Sequence, residues 1–304
     1  MSKVTLTADQ LKRAEAMRWY HAIDFGEYQA RGRNRPPYPP NMTLYGVMDV
    51  LSGIDVKGMR VLEIGPAHGM ISIGLAMQGA TVTACDVGGK KPPQISFCEE
   101  VFGIEIDYRA PLALEDVGSV FEKASFDLIV CAGVMYHLIN PADVFFRLRP
   151  LLKQNGLMAM ETVYAAKEKE PVLVLNTEKT LMAEPTTYFV ASESAIRGMA
   201  KLACLEVVAS RTNSPSRFTI LGRAVKSDEV TERTDFLKRV HSTGIIDPIF
   251  QNQKADFDKL PKSSISFSGG LGHKRIDVKT HKPKFAPCPV ELSNPIGLSF
   301  WKNK

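Results

Sequence analysis

From Met59 onward the chain alternates short apolar runs with helix-like stretches, and this alternation constrains the fold more than any other feature. RVLEI (60–64), TVTAC (81–85), IEIDY (104–108) and FDLIVC (126–131) read as strands, with helices expected over His68–Gln78 and Pro93–Phe102 between them. Asn140 is expected to cap a further helix, with Pro141 at its first position and Asp143 in its first turn. LMAMETV (157–163) is a fifth strand, and Ser192 caps a helix running to about Ala203. LEVVAS (205–210) and FTILGRAV (218–225) complete seven strands and suit an antiparallel hairpin at one edge. Strand–helix alternation with short turns gives a parallel sheet covered on both faces, so an α/β, doubly wound fold is expected.

The flanks read differently. Thr7 and Gln10 have capping-box spacing, and a helix is expected from Thr7 to about Ile23. Phe25 to Pro40, with Pro36, Pro37, Pro39 and Pro40, is an extended covering loop, and a second helix is expected over Met42–Leu51. After Val225 the pattern weakens: one more helix is expected within 226–250, then a Pro-, Gly- and Ser-rich stretch. The expected organisation is an N-terminal helical cap with a covering loop (1–53), an α/β domain (54–226) and a basic C-terminal extension (227–304), which offers a surface for homo-oligomer formation. The net charge of +5 is concentrated there, since Gln251–Lys304 holds ten Lys/Arg against four Asp/Glu. Such a tail is a solvated appendage or an RNA contact, and nucleic acid is the less favoured partner. Cys85, Cys98, Cys131, Cys204 and Cys288 form no CxxC pair, which implies reduced, buried thiols and no metal site. The N-terminus lacks a signal-peptide core and no apolar run is long enough to span a bilayer, so a cytoplasmic chain with no membrane partner is expected.

The chemistry centres on Glu63-Ile64-Gly65-Pro66-Ala67-His68-Gly69, where a strand runs into a glycine-bearing turn that opens a helix. Glycine lets backbone approach a ligand closely, and unpaired N–H groups at the helix start suit a carboxylate or a nucleoside edge. A dinucleotide fingerprint would require glycine at 67 and 70, which hold Ala67 and Met70. His68 is a cap or a cofactor contact. Asp86 ends the next strand, where a carboxylate can accept hydrogen bonds from both hydroxyls of a ribose, or else cap the turn before Gly88-Gly89. Gly133 ends the FDLIVC strand and is followed by Tyr136 and His137. Gly65, Asp86 and Gly133 thus converge at the carboxyl ends of strands, where open α/β sheets bind ligands.

With these pieces assembled, the chain resembles class I, Rossmann-like S-adenosylmethionine (SAM)-dependent methyltransferases. More narrowly, it resembles the family of the tRNA wobble-uridine 5-oxyacetate carboxymethyltransferase, through WYHxID (19–24), VLEIGPAHG (61–69), GVMYHLINP (133–141), METV (160–163) and YFVAS (188–192). The resemblance covers roughly 17–225. It implies that Glu63, Gly65 and Ala67 line the methionine moiety of SAM, with Pro66 and Gly69 also binding the cofactor, that Asp86 holds the ribose, that Leu114 and Glu115 flank the adenine, and that Gly133, Tyr136 and His137 border the sulfonium and the acceptor. Leu138 and Ile139 stand where carboxymethylating members carry an arginine, which favours plain SAM, with S-adenosylhomocysteine as product. The long N-terminal extension of the tRNA enzyme has no counterpart here, which points away from tRNA.

Methyl transfer needs an acceptor aligned on the methyl axis and, for a hydroxyl, a base. Tyr136, His137 and His21 are the candidates for that base. Tyr20, Asp24, Tyr28, Arg31 and Tyr188 are candidate substrate contacts, with Arg33, Arg35 and Tyr38 in the same roof and Arg211 and Arg217 reaching from the edge hairpin. The expected function is methylation of a small anionic or zwitterionic metabolite, with S-methylation of an amino acid such as methionine one candidate. The alternatives are tRNA wobble-uridine modification and a non-catalytic SAM- or partner-binding role.

Overall fold

The computed structural model describes residues 4–32, 41–176, 186–214 and 216–225. Arg33, Arg35, Tyr38, the four loop prolines, the helix expected within 226–250 and the whole C-terminal extension lie outside them.

The chain opens with α1 (Ala8–Ala16), whose capping box forms as expected: Thr7 Oγ1 accepts from the Gln10 amide while Gln10 returns its side-chain oxygen to Thr7 N–H. The helix stops seven residues before the expected Ile23. The Trp19 indole N–H folds back to donate to Ala14 O at 2.8 Å and occupies a last-turn carbonyl, which stops the helical ladder. Ile23 instead lies in a hairpin, β1 (Ala22–Asp24) and β2 (Gln29–Arg31). The side chain of Asn41 receives Ala22 N–H and donates to Ala22 O, both at 2.8 Å, as a neighbouring strand would. A 3-10 turn (Met42–Leu44) leads into α2 (Tyr45–Leu51).

The α/β body follows: β3 (Arg60–Ile64), α3 (Met70–Met77), β4 (Thr81–Cys85), α4 (Pro93–Phe102), β5 (Ile106–Arg109), α5 (Val117–Val120), β6 (Phe126–Ala132), α6 (Asp143–Leu148), β7 (Leu152–Val163), the short pair β8 (Leu173–Leu175) and β9 (Phe189–Ala191), α7 (Glu193–Leu202), β10 (Leu205–Ser214) and β11 (Arg217–Ala224). The main sheet has the order β10-β11-β7-β6-β3-β4-β5, parallel from β7 to β5, with β10 and β11 antiparallel at one edge. The seven-stranded sheet and its edge hairpin are those read from the sequence. Two helix starts differ. α3 begins two residues after His68, and α6 begins at Asp143 rather than after an Asn140 cap. Asn140 donates its amide to the Asp143 carboxylate at 2.8 Å instead of accepting a backbone N–H.

Strand alternation sends Val61, Val82, Ile106 and Val130 to one face, where α2, α3, α4 and the aromatic group Trp19, Phe25 and Phe97 cover them. Leu62, Ile129, Met158 and Ile220 go to the other, under Phe145, Leu148 and Ile196. Cys85, Cys98 and Cys131 are free thiols within these layers, and Cys204 is a buried free thiol beside Val225. Among the described residues, no helix is long and apolar enough to cross a membrane.

Candidate functional site

β3 lies at the centre of the parallel strands, with β4 on one side and β6 on the other, so the chain reverses its direction of travel across the sheet between β3 and β6. A crevice forms at such a switch point beyond the strand ends. Gly65 sits there with φ +70, and a Cβ on it would fall 2.6 Å from the Val134 side chain, so the turn after β3 and the loop after β6 are in intimate contact. Ala67, in the motif's middle glycine position, takes φ +51, a left-handed conformation that explains why glycine suits it. Among the described residues, the N–H groups of Ala67 and His68 have no hydrogen-bond partner. Glu63, one residue before the strand end, is buried and accepts from Ser72 Oγ on α3. Burial pushes its carboxyl up to about 7, against the pull of the Ser72 hydrogen bonds.

Asp86 follows β4 and is partly exposed. Its Oδ1 accepts from Gly88 N–H at 2.8 Å, so one oxygen does cap the turn, while its backbone O takes Leu112 N–H at 2.8 Å. That second bond ties the β4 loop to the segment carrying Leu114, which is buried, and Glu115, which is exposed with its backbone O held by Arg147. Val87, beside Asp86, is 73% exposed.

On the β6 side, Gly133 N–H donates to Glu161 O at 3.0 Å. Tyr136 is buried with its ring 4.2 Å from that of His137. His137 Nδ1 lies 2.9 Å from Thr186 O. A carbonyl only accepts, so Nδ1 carries a proton, and in the neutral imidazole the lone pair is on Nε2. Tyr188 N–H donates to Tyr136 O at 2.8 Å, which fastens the β8–β9 segment onto this pair, and the Tyr188 side chain stays exposed.

The sequence reading gave no role to Glu161. It is 1% exposed and pairs with Arg217 at 3.3 Å, and the same Arg217 Nη1 donates to Tyr136 Oη at 3.3 Å with the guanidinium over the Tyr136 ring. Burial pushes Glu161 up to about 7, opposed by the Arg217 charge. Its signal was an acidic residue near the end of an otherwise apolar strand. Of the two edge-hairpin arginines, Arg217 meets Tyr136 and Glu161, but Arg211 does not. Arg211 pairs with Asp49 on α2 instead.

The N-terminal candidates divide. Tyr20 is 42% exposed, and its backbone N–H donates to His68 Nδ1 at 2.9 Å. His21 is buried, and its Nδ1 has no partner among the described residues. Burial, with His68 nearby, lowers its pKa to about 3, so it is a neutral hydrogen-bonding group and a poor store for a proton. Asp24 closes the hairpin turn by accepting from Gly26 N–H, and Tyr28 donates to Ala14 O, so both serve the hairpin's own architecture. Arg31 is exposed on β2 opposite Ala22. No group of three or more His, Cys, Asp or Glu among the described residues is arranged to hold a metal ion.

A doubly wound seven-stranded sheet with a glycine-bearing turn at its switch point defines the class I, Rossmann-like methyltransferase fold. A family model described as a methyltransferase domain matches residues 45–210, more than half of the chain, and the chain belongs to that family. A ubiquinone biosynthesis O-methyltransferase of Xylella fastidiosa (strain 9a5c) is 33% identical over 134 residues, 42% of this chain and 53% of that protein. A tRNA U34 carboxymethyltransferase of Campylobacter jejuni (strain 81-176) is 28% identical over 151 residues, 50% of this chain and 47% of that protein. The chain thus spans about half the length of the curated relatives it matches. Among solved structures, the [4+2]-cyclase SpnF shares the fold with a TM-score of 0.50 at 11% identity, over 71% of this chain and 92% of that one.

SAM is the donor this class uses, and the groups at the switch point fit it. N–H groups left free among the described residues in the turn match its carboxylate, a partly exposed Asp86 matches ribose hydroxyls, and the exposed Val87 offers apolar surface for a base.

Proposed function

We propose that this chain is a SAM-dependent methyltransferase acting on a small anionic or zwitterionic acceptor. SAM supplies an already electrophilic methyl group with a neutral thioether as leaving group. The chain's task is then to hold the donor, align the acceptor and exclude water. The Gly65–Gly69 turn takes the amino-acid end with Glu63 behind it, Asp86 the ribose, and Leu114 and Glu115 the adenine edge. Gly133, Tyr136 and His137 border the transferred methyl.

The observation that carries the acceptor's charge class is Arg217. Its Nη1 is engaged by Glu161 and Tyr136, while its remaining donors have no partner among the described residues. A guanidinium so placed offers a carboxylate or phosphate two further donors. His137, held by Thr186 through Nδ1 so that Nε2 is the nitrogen left to accept a proton, is the base for a hydroxyl acceptor, a chemistry consistent with the O-methyltransferase named above.

The test is SAM labelled on its methyl group, incubated with the protein and a cell extract separated into metabolites and RNA. Label is expected in the metabolite fraction. A second reading, tRNA wobble-uridine modification, is favoured by the Campylobacter jejuni relative, and label in RNA would establish it in place of the first. SAM binding with no label in either fraction would identify a non-catalytic SAM- or partner-binding protein, and the SpnF likeness shows that this fold also carries other chemistry.

A further inference from the structure

The segment Arg18–His21 is bound at two points to the loops that form the cofactor crevice. At one, Tyr20 N–H donates to His68 Nδ1 at 2.9 Å, from within the turn between Gly65 and Gly69. At the other, the buried Gln94 side chain donates from Nε2 to Arg18 O at 2.7 Å. Gln94 opens α4, the helix that follows the Asp86 loop, so one stretch of four residues touches both the turn after β3 and the helix after β4. The stretch is anchored behind by Trp19, whose indole packs against Phe25 and Phe97 at 5.5 and 6.0 Å. In front, the exposed Tyr20 ring stands edge-on to both histidines, 4.8 Å from His21 and 6.1 Å from His68.

We propose that His68 is a positioning residue that couples the cofactor turn to the segment Arg18–His21, so that filling the turn and seating this segment favour each other. The proposal rests on the reading of that turn as the SAM site. A backbone N–H can only donate, so Nδ1 must be unprotonated and the imidazole must carry its proton on Nε2. The bond therefore fixes the tautomer and ring orientation of His68, and with it the backbone of the turn, whose own N–H groups at Ala67 and His68 are left free for a ligand. A ligand that takes those N–H groups rigidifies the turn, which in turn holds Nδ1 steady for Tyr20. By linkage, the seated segment strengthens ligand binding by the same factor. His21 Nδ1, within this stretch, and Oε1 of Gln94, beside it, are buried and unpartnered among the described residues.

The experiment uses the full chain with S-adenosylhomocysteine as the probe. Affinity is measured by calorimetry, and hydrogen–deuterium exchange follows the peptide that contains Tyr20. In the wild type the probe is expected to slow exchange at Tyr20. His68→Phe keeps a ring but has no acceptor. It is expected to lose that protection and weaken the probe about three- to tenfold, the worth of one such bond. His68→Asn puts an oxygen close to the Nδ1 position and is expected to restore both readouts, which a merely space-filling histidine would not require. Tight binding to the wild type with no change at Tyr20 overturns the coupling and leaves the cofactor reading standing. His68→Asn behaving like His68→Phe overturns the role of the acceptor nitrogen. No binding to the wild type at all overturns the cofactor reading and the coupling with it.

Discussion

Glu63 offers the sharpest quantitative test. Its carboxyl is 3% exposed, and its folded value of about 7 lies above the ordinary 4.5. Between those values the folded protein keeps the proton while the unfolded chain releases it. Stability therefore falls as pH rises through that window and is level above and below it. A gap of about 2.5 pH units at about 1.36 kcal/mol each amounts to ~3 kcal/mol, most of which falls between pH 5 and pH 8. Glu63→Gln is neutral at every pH, nearly isosteric, and still offers Ser72 Oγ an acceptor. Relative to wild type it should therefore gain roughly 2 to 3 kcal/mol of unfolding free energy on going from pH 5 to pH 8. Urea denaturation at a series of pH values measures this directly, and the comparison cancels every other titrating group. A variant whose curve runs parallel to wild type across that range would refute the reasoning, because Glu63 would then be ionised in the folded protein at pH 5.

Three further outcomes are expected. Asp86→Asn keeps an oxygen for Gly88 N–H but loses the charge, and it should weaken S-adenosylhomocysteine about tenfold in calorimetry with little change in unfolding; unchanged affinity would sink the ribose assignment. Arg217→Met leaves Glu161 buried without its cation and should cost about 3 kcal/mol in urea unfolding at pH 8, while the double variant Arg217→Met with Glu161→Gln should recover most of it; a double variant no more stable than the single would show that the pair is not the cause. His137→Ala should lower turnover at least a hundredfold on a hydroxyl acceptor while leaving S-adenosylhomocysteine affinity within about twofold, and parallel losses in both would make His137 structural.

Much of the α/β body was legible because its signals are local. TVTAC and Pro93–Phe102 form elements at the expected residues, and Ser192 caps α7 as read, since burial period and cap chemistry both act within a few residues. What escaped depends on side-chain contacts that no periodic pattern announces. Helix α1 ends where it does because the Trp19 indole turns back, and the β1–β2 hairpin is braced by Asn41, 19 residues from Ala22. Neither leaves a periodic trace in three-residue strands. At the site, the strand-end positions of Gly65, Asp86 and Gly133 follow from the alternation. The Glu161–Arg217 pair joins residues 56 apart, and nothing in the sequence separates Arg217 from Arg211, which turns to Asp49 instead. Tyr28 illustrates the converse: an aromatic hydroxyl near the roof, spent on the carbonyl of Ala14.

The strand order carries one more consequence, for how the molecule is assembled. β11 lies between β7 and β10, so the last described strand is inserted inside the sheet rather than added to its rim. During synthesis the parallel strands from β3 to β7 emerge first, and β7 then has an open edge on which Glu161 awaits a counterion. β10 cannot close that edge by itself, because its partner in the sheet is β11. Arg217 lies on β11, so it reaches the wall of the crevice only after both β10 and β11 have been synthesised and β11 has paired with β7. A nascent chain halted within β10 therefore has the turn after β3 but no arginine beside Tyr136.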